Sequence, residues 1–154
     1  MPEPHIPAGG MLDALRAAVA DPARVRTRAL DLHAHAHDAS HFLLIPQAVV
    51  IAGNADEVGR LLRASAAQGV PLTFRSGGTS LSGQGVTGGV LVDVRRNFTG
   101  IEVLDDGDRV RVQPGVTVRA LNTRLAPCAT PSASTDGSAS SPPPERPSLS
   151  FWRR

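Results

Sequence analysis

Apolar positions along this chain change their period several times, and each change marks an element. Between residues 10 and 20, Leu12, Leu15, Ala18 and Val19 recur at helical spacing and Asp21-Pro22 supplies a stop, which predicts a short amphipathic helix. Residues 48–52, Ala-Val-Val-Ile-Ala, form a β-prone run closed by Gly53-Asn54. Asp56 and Glu57 then favour a helix start through the dipole, and a helix over 55–68 turns Val58, Leu61, Leu62 and Ala66 inward. Gly69 stands where a helix terminator belongs, and Val70-Pro71-Leu72-Thr73-Phe74 reads as a second strand with proline near its start. A parallel pair needs such a helical crossover, so the strands near 50 and 73 are expected to be parallel neighbours with the helix on one face.

The stretch that follows breaks both periods. Arg75-Ser76-Gly77-Gly78-Thr79-Ser80-Leu81-Ser82-Gly83-Gln84-Gly85 holds one bulky apolar residue and reads as a glycine and hydroxyl loop. Gly88-Gly89 closes it, and Val90-Leu91-Val92-Asp93-Val94 resumes as a buried strand. Residues 101–104 and 109–112 flank Asp106-Gly107 as a β-hairpin, Pro114-Gly115 turns the chain, and Thr117 is placed to cap a helix whose Val118, Leu121 and Leu125 face a core. The pattern as a whole is α+β, built on a β-α-β unit. After Pro127 periodicity disappears: residues 128–154 hold seven Ser and five Pro, the composition of a disordered tail.

Composition narrows the function classes. A chain of 154 residues suffices for one core. With four Phe, one Trp and no Tyr, that core is Ala, Val and Leu. All sixteen basic residues are arginine, scattered against fourteen acids, so the pI of 9.9 is no nucleic-acid footprint. Cys128 is the only cysteine, which excludes an internal disulfide framework and fits a reducing compartment. Glu3 precedes any basic residue, unlike a signal peptide, and Pro46-Gln47 interrupts the most apolar stretch well short of a transmembrane segment, so a cytoplasmic chain is expected.

The loop carries the candidate chemistry. Successive N–H groups of a glycine-rich loop converge into a nest that binds phosphate oxygens without lysine, and the hydroxyls of Ser76, Thr79, Ser80 and Ser82 add donors. A plain connector between strands is the bland alternative. Gly83-x-Gly85-x-x-Gly88 matches the dinucleotide pattern in letters, but that pattern must open a helix and here a strand follows. A Walker A loop fails because the chain has no lysine.

Residues 72–84, Leu-Thr-Phe-Arg-Ser-Gly-Gly-Thr-Ser-Leu-Ser-Gly-Gln, resemble the flavin-phosphate loop of FAD-linked oxidases of the vanillyl-alcohol-oxidase and p-cresol-methylhydroxylase (PCMH) type. Asp38-Ala39-Ser40-His41-Phe42-Leu43-Leu44-Ile45-Pro46 upstream, with Gly89-Val90-Leu91-Val92-Asp93 and Val112-Gln113-Pro114-Gly115-Val116 downstream, extend the resemblance in the same order. It is nearest to D-lactate dehydrogenases and the glycolate oxidase flavin subunit. It implies an N-terminal lead-in over 1–35, a partial PCMH-type FAD-binding domain over 36–127 and a tail over 128–154 that is disordered or frameshifted. It also implies that Ser76, Gly77, Gly78, Thr79, Ser80, Leu81, Gly83 and Gln84 wrap the FAD pyrophosphate. Covalent relatives carry histidine after the paired glycines, so Thr79 implies non-covalent flavin.

The resemblance implies a flavoprotein oxidoreductase whose complete form takes a small 2-hydroxy acid such as D-lactate or glycolate. No match to a second FAD segment or a cap domain follows Pro127, so this chain alone is expected to be inactive and to bind FAD weakly or not at all. No catalytic residue is assigned. A non-enzymatic half-domain or interaction fragment is the alternative function. His33, His35, His37 and His41 with Asp38 invite a metal reading, but no single conformation uses all four histidines, and no metal is expected.

Overall fold

The computed structural model describes residues 9–126; the predicted tail over 128–154 lies outside the described residues. Helix α1 (Gly9–Ala18) leads through a 3-10 turn (Pro22–Arg24) into a short strand β1 (Val25–Arg26) and helix α2 (Ala29–Ala34). Strand β2 (Ala48–Ile51), helix α3 (Ala55–Gln68), strand β3 (Leu72–Arg75) and strand β4 (Val90–Asp93) follow. The chain then makes β5 (Ile101–Leu104), β6 (Arg109–Val112) and helix α4 (Val118–Leu125). It divides into two compact units: residues to Gly100 with Val112–Val116, and Ile101–Arg111 with residues from Thr117 onward.

In the first unit four strands form one sheet in the order β1-β2-β4-β3. β1 runs antiparallel to β2, while β2 and β3 each pair parallel with β4. The strands near 50 and 73 therefore share a sheet and a direction but are not neighbours, contrary to the sequence expectation, because β4 lies between them. Burial explains the order: Val90, Leu91 and Val92 are all buried, as a strand with neighbours on both edges requires, whereas in β3 Phe74 is exposed and the other residues half-buried.

Ala48, Val50, Ala52, Val90, Val92 and Val94 cluster with Met11, Leu15 and Ala18 of α1, Val19 just after it, and Leu61 of α3, so one sheet face and two helices make the core. Val49 and Leu91, in register with each other, are fully buried on the opposite face. Asn54 caps α3 by accepting from the Glu57 N–H at 2.9 Å, and Gly69 ends it with φ 63°. The inward stripe of α3 is narrower than predicted. Leu61 is buried and Val58 packs on the core, but Leu62 and Ala66 are exposed, and Glu57 takes the buried position one turn before Leu61.

Glu57 is the chief polar element of this core. Its side chain is 1% exposed and accepts from Arg24 Nη1 at 3.1 Å and Nη2 at 3.0 Å, from the Gly53 N–H at 2.6 Å and from the Ala20 N–H at 2.9 Å. One carboxylate thus ties the end of α1, the 3-10 turn and the end of β2 to the first turn of α3. Burial pushes its pKa up, but the N–H donors of Ala20 and Gly53 and the Arg24 guanidinium outweigh that and hold it below the ordinary glutamate value.

In the second unit β5 and β6 pair as a ribbon across a 3-10 turn at Asp105–Gly107, confirming the hairpin. Arg111 and Glu102 face each other across it at 2.7 Å. Thr117 Oγ1 accepts from the Ala120 N–H at 3.2 Å and caps α4 as predicted. The predicted core face of α4 differs: Val118 is 74% exposed, Leu121 and Leu125 are half-buried, and no residue of this helix is buried among the described residues. Helical spacing selects a face, but burial also needs a surface to pack on.

Candidate functional site

The parallel strands β3 and β4 end at Arg75 and Asp93, on the edge of the sheet where open α/β layers present their loops to ligands. The loop from Ser76 to Gly89 leaves from there. Gly78 and Gly83 have φ of 65° and 79°, a conformation that costs an L side chain about 1–2 kcal/mol. Ser80 Oγ accepts the Ser82 and Gln84 N–H groups, each at 3.2 Å, and donates to Gln84 Oε1, closing a small turn around Leu81. Among the described residues, the N–H groups of Gly77, Gly78, Thr79, Ser80, Leu81 and Gly83 have no acceptor.

A cleft of about 460 Å³ opens beside the loop, lined by Ser76 and Gly77 together with His35, Arg75, Asp93, Arg95 and Arg96. Arg75 donates to the His35 carbonyl at 3.1 Å, and Asp93 Oδ1 accepts the Arg95 N–H at 2.7 Å, so the cleft keeps a net cationic lining. Ser76 Oγ donates to the Pro114 carbonyl at 2.6 Å and anchors the start of the loop. Of the sequence-predicted residues, Ser76 and Gly77 reach the cleft. Thr79, Leu81 and Gln84 are exposed on the loop, Leu81 at 79%.

Sequence reasoning did not assign Arg75, Arg95 or Arg96 to the site. Their signal was position: Arg75 is the last residue of β3, and Arg95 and Arg96 stand two and three residues past the end of β4. Asp38, read in the sequence as part of a matching segment and beside the histidine cluster, touches the loop. Its Oδ2 accepts the Gly85 N–H at 3.1 Å, and its Oδ1 accepts the Ser40 N–H at 2.9 Å and the Ser40 hydroxyl. The Ser40 hydroxyl bond is the main reason the Asp38 carboxyl lies below its ordinary pKa, with the N–H groups of Ser40 and Gly85 and the charge of Arg75 adding to it against the cost of burial.

Two of the histidine side chains are engaged locally, and a third histidine takes part through its backbone. His33 and His35 each donate Nδ1–H to the carbonyl four residues back, Ala29 and Asp31, at 2.8 Å, and His37 forms a bridge with Leu43. Among the described residues no group of three or more His, Cys, Asp or Glu side chains is placed to hold a metal. No helix among them is long and apolar enough to cross a membrane.

The profile of the FAD binding domain family matches residues 46–133, more than half of the chain and all of the loop. The chain belongs to the FAD binding domain family. It is 40% identical over 96 residues to the D-2-hydroxyglutarate dehydrogenase of Pseudomonas putida, a match covering 60% of this chain and 10% of that protein. It is 34% identical over 94 residues to the D-2-hydroxyglutarate dehydrogenase of Escherichia coli, covering 58% and 9%. The chain thus spans about a tenth of the length of the curated relatives it matches.

Solved structures show the same fold for this FAD-binding domain. An alkyldihydroxyacetonephosphate synthase superposes with a TM-score of 0.68 at 19% identity, over 82% of this chain and 26% of that one. The 4-ethylphenol oxidase of Gulosibacter chungangensis gives 0.66 at 19% identity with the same coverage. p-Cresol methylhydroxylase gives 0.62 at 16% identity, over 80% of this chain and 26% of the other. The architecture is that of the PCMH-type flavin domain.

Proposed function

We propose that the loop from Ser76 to Gln84 grips the diphosphate of FAD, non-covalently, as part of a flavin-dependent dehydrogenase acting on a D-2-hydroxy acid. The observation that carries this reading is the set of six backbone N–H groups, at Gly77, Gly78, Thr79, Ser80, Leu81 and Gly83, that have no acceptor among the described residues. Convergent N–H donors on a glycine-rich turn are an anion cradle, and a dinucleotide diphosphate is the anion that FAD supplies. Arg75 and Arg95 add cationic character beside the cradle, so the donor chemistry of the site fits the group. Thr79 offers no imidazole for a covalent tether.

Bound FAD would accept the two electrons removed from the substrate. This chain's residues contribute binding and orientation: the loop N–H groups hold the diphosphate, the Ser76–Pro114 bond fixes where the loop starts, and the cleft arginines neutralise phosphate charge. We assign no residue of this chain as a catalytic base. The hydroxy-acid substrate class is supported by the curated relatives, which are D-2-hydroxyglutarate dehydrogenases. The single cysteine fits a reducing compartment, and we place the protein in the cytoplasm.

The test is flavin retention. The chain is incubated with FAD and desalted, and bound flavin is followed by absorbance near ~450 nm and by fluorescence quenching, with Gly78→Ala as the comparison. A methyl group at Gly78 is strained by φ 65° and lies 2.5 Å from Arg75 Nε, so it distorts the cradle and lowers flavin affinity while the sheet stays folded. Equal, measurable retention by the folded variant and the parent would remove the loop from flavin binding.

A further inference from the structure

The loop does not hold its shape alone. Three of its glycines are in contact with the segment from Asp38 to Phe42, some forty residues earlier in the chain. The Ala39 N–H donates to the Gly78 carbonyl at 3.1 Å, and the Gly85 N–H donates to Asp38 Oδ2 at 3.1 Å. Between these points Phe42 lies on Gly83, where an added Cβ would stand 2.6 Å from Cδ2 and 3.2 Å from Cε2 of the ring. At Gly85 an added Cβ would come within 3.2 Å of Asp38 Oδ2. Glycine at 83 and 85 thus lets a second segment lie directly against the loop.

We infer that Asp38 is a positioning residue for the flavin loop: its carboxylate latches Gly85 and, with the adjoining Ala39–Gly78 bond, sets the curvature of the loop that carries the free N–H groups. This rests on the FAD reading proposed above and deepens it. The carboxylate suits the task because its two oxygens act separately. Oδ1 is fixed by the N–H and hydroxyl of Ser40 and so orients the group, leaving Oδ2 for the loop. Asp38 touches none of the six free N–H groups, so it acts through the backbone and not on the ligand. Ordering a loop costs about 1–2 kcal/mol per residue, so a loop held in shape beforehand binds an anion more tightly than one ordered on binding.

The experiment compares the full chain with Asp38→Ala and with the milder Asp38→Asn, which keeps only one acceptor oxygen. Amide hydrogen exchange of the ligand-free chain is measured together with FAD titration, and circular dichroism reports the fold. Expected for Asp38→Ala is faster exchange of the hydrogen-bonded amides of Ala39, Gln84 and Val86, which depend on the loop's shape, with β2, α3 and β4 still protected, and an FAD affinity lower by about tenfold, the equivalent of one lost charge-assisted hydrogen bond. Asp38→Asn is expected to fall between the two. If exchange of the Ala39, Gln84 and Val86 amides is unchanged in a folded Asp38→Asn or Asp38→Ala chain, the latch is overturned, whatever happens to FAD. If exchange rises but the parent chain itself takes up no FAD, the latch stands and the flavin reading fails.

Discussion

At the scale of single residues, Glu57 does more than a residue in the first turn of a helix is expected to do. Negative charge near an N-terminus is favourable through the dipole, and the sequence shows that much. Gly53 lies only four residues before it, but Ala20 and Arg24, which also converge on its carboxylate, lie 37 and 33 residues back and leave no local pattern. Because the folded pKa is lowered, its stabilisation is complete above the ordinary glutamate range near ~4.3 and is lost as pH falls through the lower folded value. Glu57→Gln removes the buried charge and strands its donors, costing about 3 kcal/mol at neutral pH in urea unfolding. The variant's stability then varies less with pH across the acid window than the parent's; parallel curves would place the acid sensitivity elsewhere.

At the scale of elements, the sheet order depends on which strand tolerates neighbours on both edges. Period and length mark β2, β3, β4, the hairpin and the capped α4 in the sequence, since each is a local property. The insertion of β4 between β2 and β3 is not local, because the rule that consecutive strands pair is only a tendency and burial on both faces overrides it. The tight spot is Gly89, which leads into β4: an added Cβ would stand 2.5 Å from the Pro71 carbonyl oxygen and 2.9 Å from its Cγ. That carbonyl also accepts the Val90 N–H at 3.0 Å. Gly89→Ala therefore forces β3 away from β4, with a loss of about 1–3 kcal/mol. Amide exchange should rise in β3 before it rises in β2.

At the scale of the whole molecule, the loop was legible because it is both local and extreme in composition: glycine and hydroxyl residues without an apolar period between two apolar strands. The cationic cleft and the Asp38 latch were not, since they bring together residues from four separate stretches of chain. The family match covers the loop and its flanking strands, and the fold agrees with that of flavoenzymes with which the chain shares only 16% to 19% identity. In the proposed function, the free N–H groups of this loop receive the FAD diphosphate. The most direct test is an amide NMR titration of the chain with FAD, with riboflavin, which lacks the diphosphate, as the control. Saturable shifts of Gly77, Gly78, Thr79, Ser80, Leu81 and Gly83 are expected with FAD and none with riboflavin. A folded chain in which those amides stay unmoved by FAD would contradict the proposed function.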